Sequence, residues 1–417
     1  MAIQQSELTA QEIEPLGVLA RRIFALQRRS PLRVIHHSFR NNLSVRTVIL
    51  SRLRRMVSLA WRYAAIVSRA RGIFVARQLR DLYSLAFRQG VNPAVYYALQ
   101  LYDRPDGLAA ANHYLARRET KSGIYNLLID QRPEVQARAV AIRDKSVLAT
   151  HCRRLGLPAA AVLAEVRDGK WIWHDDATAA LDLDLFIKPA KSKGAIGAAA
   201  YQFQPPEGYI DSKGAVLTRA ALLARLERRS LAKAMLVMPR LRNHPDIADL
   251  AADSLIAFRV FTCTDAMDNP HVTHGMLRVL GKLEPDWGIL DEYGAAIDLQ
   301  TGELGQMCSD IDLAPQSWWD RHPQTGAQVK GRIIAQWPEI AALAQRAHRA
   351  FPQRKLVGWD IALTPTGPML LEGNLKPDTH FLQRVHRQMI GQSPLAPLLR
   401  HHLKVAEQRL LDLRTGS

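Results

Sequence analysis

Two carboxylates and an amide interrupt an otherwise apolar stretch, GWDIALTPTGPMLLEGN, from Gly358 to Asn374. Asp360 sits inside the first apolar run, and Glu372 and Asn374 close the second. Between the runs, TPTGP is turn chemistry: Pro presets φ and Gly permits positive φ, so the flanks read as a β-hairpin. With the turn centred on Thr366, Leu363 faces Met369, Ala362 faces Leu370, Ile361 faces Leu371, and Asp360 faces Glu372. Opposed side chains share a face with Cβ atoms roughly 5 Å apart, and alternation adds Asn374 to the face of Glu372. The other face would hold Ile361, Leu363, Met369 and Leu371, which suits a core. Facing carboxylates repel unless a cation lies between them, and three convergent oxygen ligands suit a hard divalent ion, Mg2+ or Mn2+. The alternative is a surface hairpin with solvated acids, and a register slip of one residue would part the pair.

Other chemistry-bearing residues lie upstream. In AIRDKSVLATHCRRLGLP, Lys145 opens a helix that Gly156 ends, and Pro158 introduces an extended apolar run. Leu185-Phe186-Ile187 reads as a strand leading to Lys188; Lys191 to Gly197 is a small-residue loop, and strand resumes at Tyr201. A strand lysine followed by such a loop suits nucleotide phosphates, because ammonium and backbone N–H groups can face the anion. A surface hairpin with lysines gives the same pattern, and neither GxGxxG nor GxxxxGK[ST] is present. After the helix TRAALLARLERR, the run from Ala234 to Met238 is a strand that breaks at Pro239. A broken strand end exposes a carbonyl and an N–H side by side, which serves an adenine edge: Pro239 accepts and Leu241 donates. SLIAFRVFTCTD is a strand carrying Arg259, either a salt-bridge partner or a phosphate ligand.

The elements that must position these residues belong to a chain of 417 residues, long enough for two or three domains. Its 47% hydrophobic and 23% charged content is that of an ordinary folded protein. Cys152, Cys263 and Cys308 show neither metal spacing nor a disulfide framework, which points to a reducing, cytoplasmic setting. The polar, acidic first residues argue against a secretory signal, and no apolar run is long enough to span a bilayer. The net charge of +17 is concentrated: from Arg21 to Gly90 there are sixteen arginines, one acid (Asp81) and no lysine. Helical spacing places Ile49, Leu53, Met56, Leu59, Tyr63 and Ile66 on one stripe, and Arg55, Arg62 and Arg69 on another face. Such a helix can pack on the body with solvated arginines, lie on an anionic membrane, or bind a polyanion; no nucleic-acid recognition motif accompanies the charge. Gly90 stops it, and the chain from Pro93 to Asp144 still reads as helical.

The order of these elements resembles the ATP-grasp superfamily of carboxylate–amine ligases. The best resemblance is to its sugar-transfer-associated branch, which carries a helical N-terminal part, a DK element and a hairpin ending in EGN. It covers roughly Tyr96 to Pro377, and VGWDIALTPTGPMLLEGN and LFIKPAKSKGAIG carry it most specifically. The resemblance implies an α+β ATP-grasp fold, two subdomains gripping ATP, behind an arginine-rich helical region. The expected divisions are 1–92 and 93–143, both helical; 144–235, the first ATP-grasp subdomain; 236–400, the second; and a tail, 401–417. It also implies roles. Lys145 and Lys188 would flank the nucleotide, with Ser192 and Gly194 of the loop nearest its phosphates. Met238, Pro239 and Leu241 would form the adenine hinge, where many such ligases begin with Glu instead. Arg259 would meet the γ-phosphate, and Asp360, Glu372 and Asn374 would hold Mg2+ or Mn2+. No clear ribose ligand appears; His244 and Asp246 are candidates. Arg278 and Lys282 could hold an anionic acceptor, and Lys376, Asp378 and His380 could line its side; the plainer reading of each is a surface or ion-pair residue.

The implied activity is ATP-dependent joining of a small-molecule acid to an amine or other nucleophile through an acyl phosphate. Cell-surface polysaccharide or peptide-like products are the implied setting. A phosphotransferase acting on a hydroxyl and a non-catalytic nucleotide-binding module at a membrane are the alternatives. Many superfamily members begin with an α/β domain that helps hold substrate; the arginine-rich helices stand in its place, so the acid and amine are not inherited.

Overall fold

A computed structural model describes residues 14–29, 45–174, 181–190, 197–206, 208–251, 254–280 and 292–415. Ser192, Gly194 and Lys282 lie outside the described residues. The chain forms two compact units: Met1–Leu128 with Leu313–Pro315 and Asp378–Ser417, and Ile129–Asp312 with Gln316–Pro377.

The first unit is helical. In α1 (Leu16–Arg29), Leu16, Leu19, Ala20, Ile23 and Phe24 recur at helical spacing and are buried. Next come α2 (Val45–Arg71) and α3 (Val75–Tyr83). Their shared core takes Met56, Leu59 and Val67 from α2, Leu82 from α3, and the aromatic cluster Tyr96, Tyr97 and Tyr102. Of the stripe expected on α2, Met56 and Leu59 are buried and Tyr63 and Ile66 half-buried, while Ile49 and Leu53 lie at its margins and are 42% and 40% exposed. Buried Gln78 donates to Ala64 O and Ile73 O and accepts from Tyr97 Oη, which satisfies it completely at the α2–α3 junction. From Pro93 to Asp144 the chain is helical in short pieces rather than in long helices. The pieces include Val95–Ala98, Gly107–His113 and Pro133–Gln136, and they are broken where Gln100 takes a positive φ and at Pro105 and Gly107. The C-terminal helix Leu395–Thr415 runs through the expected division at residue 400.

The second unit holds two antiparallel sheets. One comprises β1 (Ala164–Arg167), β2 (Lys170–Trp173), β3 (Leu185–Pro189), β4 (Ala199–Gln204), β5 (Gly208–Asp211), β6 (Val216–Leu217) and β7 (Met235–Pro239). Its order is β2-β1-β7-β3-β4-β5-β6, so β7 inserts between β1 and β3. Its core is Val166, Leu185, Ile187 and Val237 against Leu222 and Leu226 of the helix Arg219–Ser230, which Thr218 caps. The other sheet comprises β8 (Ala257–Thr264), β9 (Pro270–Leu280), β10 (Glu292–Ile297), β11 (Leu304–Ser309), β12 (Trp318–Trp319), β13 (Leu356–Thr364) and β14 (Gly367–Asn374), in the order β12-β11-β10-β9-β8-β13-β14. The helix Trp337–Ala350 packs Trp337, Ile340 and Ala344 into the core beneath it.

The sheets meet along β14. Ala160 N donates to Leu370 O (2.8 Å) and Leu370 N donates to Pro158 O (2.9 Å). Beside this seam, Ala149, Ala160, Val162, Leu236 and Met238 form a small cluster with Met369 and Leu371 packed against it.

Candidate functional site

The hairpin of β13 and β14 turns through Pro365-Thr366, with Thr364 opposite Gly367. Near the turn the expected pairing is off by one: Leu363 faces Pro368, Ala362 faces Met369, and Ile361 faces Leu370. A β-bulge between Asp360 and Ile361 then absorbs Leu371 and restores the expected register, with Asp360 opposite Glu372 and Gly358 opposite Asn374. The bulge also redistributes the apolar residues. Ile361, Leu363 and Leu370 enter the main core, while Met369 and Leu371 turn to the inter-sheet cluster.

Asp360, Glu372 and Asn374 do converge. Asn374 Nδ2 donates to Asp360 Oδ2 (3.1 Å) and to Glu372 Oε1 (3.4 Å). The charge expected between the acids comes from the protein's own cations. Arg259, directly across from Asp360 on β8, donates from Nε to Oδ1 and from Nη2 to Oδ2 (2.7 Å). Arg278 on β9 donates from Nη1 to both Asp360 oxygens at 3.4 Å, and from Nε to Glu292 on β10. Five neighbouring strands thus contribute ionic side chains to one face, in the order Glu292, Arg278, Arg259, Asp360 and Glu372. Burial alone would raise the Asp360 carboxyl, but Arg259 and Arg278 outweigh it and hold it well below the usual carboxylate range. Burial lowers Arg278, yet Glu292 and Asp360 raise it more, so it stays charged.

Two glycines make the approach of these strands possible. A Cβ on Gly358 would lie 2.7 Å from Pro377 Cβ and 3.2 Å from Arg259 Cδ. One on Gly373 would lie 2.6 Å from Ile142 Cδ1 and 2.8 Å from Trp359 Cζ3. Each glycine is within two residues of a site side chain, at a point where neighbours press against the backbone.

The lysines reach the same face from the other sheet and its approach. Asp144 caps the helix Lys145–Arg154 by accepting from Ser146 N (3.0 Å) and Val147 N (3.2 Å). Lys145, its first residue, brings Nζ to 3.6 Å from Glu372 Oε2. On β3, alternation sends Leu185 and Ile187 into the core and Phe186 and Lys188 to the opposite face, with Lys188 Nζ 5.6 Å from the Phe186 ring centroid. Burial, helped by Lys145, lowers the Lys188 ammonium to about 8, and Glu372 opposes the shift. Met238 is buried in the inter-sheet cluster at the end of β7, and Pro239 and Leu241 follow it half-buried. His244 is spent as the cap of the turn Pro245–Ala248, and Asp246 is exposed beside it. Gly197, at the end of the small-residue loop, has φ +78° and its carbonyl accepts from Arg229 Nη2 (2.8 Å).

Sequence spacing offers no sign of Glu292: it lies fourteen residues from Arg278 and meets it only because β9 and β10 pair. Lys376 packs among cations, Arg143 and Arg354, which with burial lower its ammonium. In the helical unit, Asp378 pairs with Lys121 (3.0 Å) and caps the helix Thr379–Val385, and His380 Nδ1 meets Tyr114 Oη (2.6 Å).

The donor set fits a hard divalent cation. The Glu372 side chain is 39% exposed and meets Asn374, Lys145 and Asp360, and an amide turned about its last bond would offer oxygen in place of nitrogen. Among the described residues no cluster of three His, Cys, Asp or Glu residues occurs. Two carboxylates and an amide suit an ion whose remaining ligands are phosphate and water.

A family model described as sugar-transfer associated ATP-grasp matches residues 130–401, well over half of the chain. The chain belongs to this family. Its fold is accordingly ATP-grasp, of α+β class, and the match begins at the second unit and extends into the closing helices. No curated protein matches the chain. Among solved structures it is similar to the VanG D-Ala:D-Ser ligase from Enterococcus faecalis, at 13% identity and a TM-score of 0.39, covering 63% of this chain and 62% of that one. It is also similar to the D-alanine–D-alanine ligase from Bacillus anthracis, at 10% identity and a TM-score of 0.37, covering 64% and 69%. Likeness at this level adds nothing to the assignment that the family match makes.

Proposed function

We propose that this ATP-grasp protein is an ATP-dependent ligase that joins a small carboxylic acid to an amine or related nucleophile through an acyl phosphate. The observation that carries the reading is the convergence of Asp360, Glu372 and Asn374 with Lys145, Lys188 and Arg259 around one face. Glu372, Asn374 and Asp360 would hold Mg2+, or Mn2+, which supplies charge neutralisation at the β- and γ-phosphates. Lys145 and Lys188 bind the phosphates, while Met238, Pro239 and Leu241 offer backbone groups to adenine. Arg259 turns from Asp360 to the γ-phosphate. An oxygen of the acid attacks the γ-phosphorus and ADP departs; the nucleophile then attacks the acyl carbon, losing its proton as phosphate leaves. Positioning and charge stabilisation suffice, without a covalent protein nucleophile.

Cys152, Cys263 and Cys308 are buried and form no disulfide with one another, which supports a cytoplasmic setting, and no described helix is long and apolar enough to cross a membrane. The arginine-rich segment 21–90 gives the ligase a second partner, an anionic membrane surface, and products destined for the cell surface suit that location.

The test combines calorimetric titration of ATP with and without Mg2+ and a screen of acids and amines for ADP release. A ligase yields a hydroxamate when hydroxylamine intercepts the activated acid. A phosphotransferase would release ADP with a hydroxyl substrate and give no hydroxamate. Absence of Mg2+-dependent ATP binding at millimolar concentrations would sink the reading, and unchanged function after Glu372→Ala would leave only a binding module.

A further inference from the structure

The helix α2 is apolar on two opposite faces. One packs into the core through Met56, Leu59 and Val67. The other carries Leu50, Leu53, Val57 and Trp61, which are 54%, 40%, 66% and 88% exposed, and together with Arg54 and Ser58 they line a shallow groove. Spacings of three and four residues put them on one side of the helix. A contiguous exposed apolar face of this kind marks an interaction surface. Phe74 and, on the following helix, Val75, Leu79 and Tyr83 are also exposed.

We infer that this face of α2 is where the chain seats on an anionic lipid bilayer, with Leu50, Val57 and Trp61 entering the headgroup boundary. The inference rests on the reading of segment 21–90 as membrane-facing and assigns the face within it. Charge decides among the occupants. Arg54 lies within the apolar stripe, and Arg55, Arg62 and Arg69 are exposed along the same helix. The single acid of segment 21–90, Asp81, is buried and engaged by Arg77, Arg80 and Tyr96, so it does not offset the surface charge. A second copy meeting this face through a two-fold axis would oppose arginine to arginine. A nucleic-acid backbone would answer the arginines but not the aliphatic residues between them. An anionic membrane answers both: headgroups meet the guanidinium groups, and the interfacial region takes leucine, valine and the amphipathic indole.

The experiment is co-sedimentation of the full chain with vesicles of phosphatidylcholine alone and of phosphatidylcholine mixed with phosphatidylglycerol. The chain is expected to bind only the mixed vesicles. The double substitution Val57→Asp with Trp61→Asp is expected to lower that partitioning by about tenfold or more, with melting temperature and Mg-ATP binding unchanged. Equal binding of the double variant and the parent would overturn the assignment of the face while leaving the segment membrane-facing. No binding of the parent to the mixed vesicles would overturn both. A concentration-dependent dimer that the double substitution abolishes, without vesicle binding, would hand the face to a second copy. None of these outcomes touches the ligase reading, because nucleotide binding is followed separately.

Discussion

Asp360 accepts from two arginines and an amide, and this crowding makes specific demands of its neighbours. Removing one partner of a buried ionic set leaves a desolvated charge behind. Arg278→Met strands Glu292 and is expected to cost about 2–4 kcal/mol in urea unfolding, while adding Glu292→Leu should recover most of the loss. Glu372→Gln keeps the shape but halves the carboxylate count, and titration should show Mg2+-dependent ATP affinity falling by about tenfold or more. Lys188 gives a pH test with a defined sign. Its ammonium is lowered to about 8, so the folded chain holds that proton less tightly than the unfolded chain does. Ligand-free stability therefore gains as pH rises from about 8 toward the ordinary lysine value of roughly 10.4, and Lys188→Met should stabilise the ligand-free chain at neutral pH by about 2–3 kcal/mol. On the proposed nucleotide role of Lys188, nucleotide affinity is expected to move oppositely, falling as pH passes about 8 and the ammonium is lost. Lys188→Arg should remove that falling limb in calorimetric titrations across pH.

At the scale of elements, the hairpin shows how local chemistry and packing share the specification. TPTGP dictates a turn, and alternation dictates faces, but the extra residue Leu371 is what keeps Asp360 opposite Glu372 after a tight two-residue turn. No residue type in LLEGN announces that bulge; it forms where both sides of β13 are buried and each side chain must find a cluster. The glycines of GWD and EGN were visible as letters but not as necessities until Ile142, Trp359 and Pro377 were seen against them. Gly373→Ala is expected to cost about 1–3 kcal/mol in chemical denaturation, because Ile142 and the Trp359 ring must both move. Strand assignments around Lys188, Pro239 and Arg259 followed from sequence alone, since each is a short apolar run bounded by Pro, Gly or a charged residue. From Pro93 to Asp144 the helical character was legible but its division was not, because its residues favour helix locally while Pro105, Gly107 and Pro133 cut it into short helical pieces.

Across the whole molecule, charge is divided between two kinds of environment. Segment 21–90 carries most of the net +17, and Arg54, Arg55, Arg62 and Arg69 within it are exposed on a helix, whereas the ionic residues beside Asp360 are largely withdrawn from solvent. Salt screens the first kind strongly and the second weakly. Raising ionic strength toward molar salt should release the chain from phosphatidylglycerol vesicles in the sedimentation assay while shifting its melting temperature little.

The sequence by itself determined the turn, the shared face of Asp360, Glu372 and Asn374, the strand positions of Lys188 and Arg259, and the basic segment, because each depends on local periodicity and side-chain chemistry. Tertiary structure alone decided that Glu292 and Arg278 join Asp360, that Lys145 reaches Glu372, and which face of α2 is left exposed. Those outcomes depend on which strands become neighbours and which helix face finds the core, and residue spacing carries no information about either.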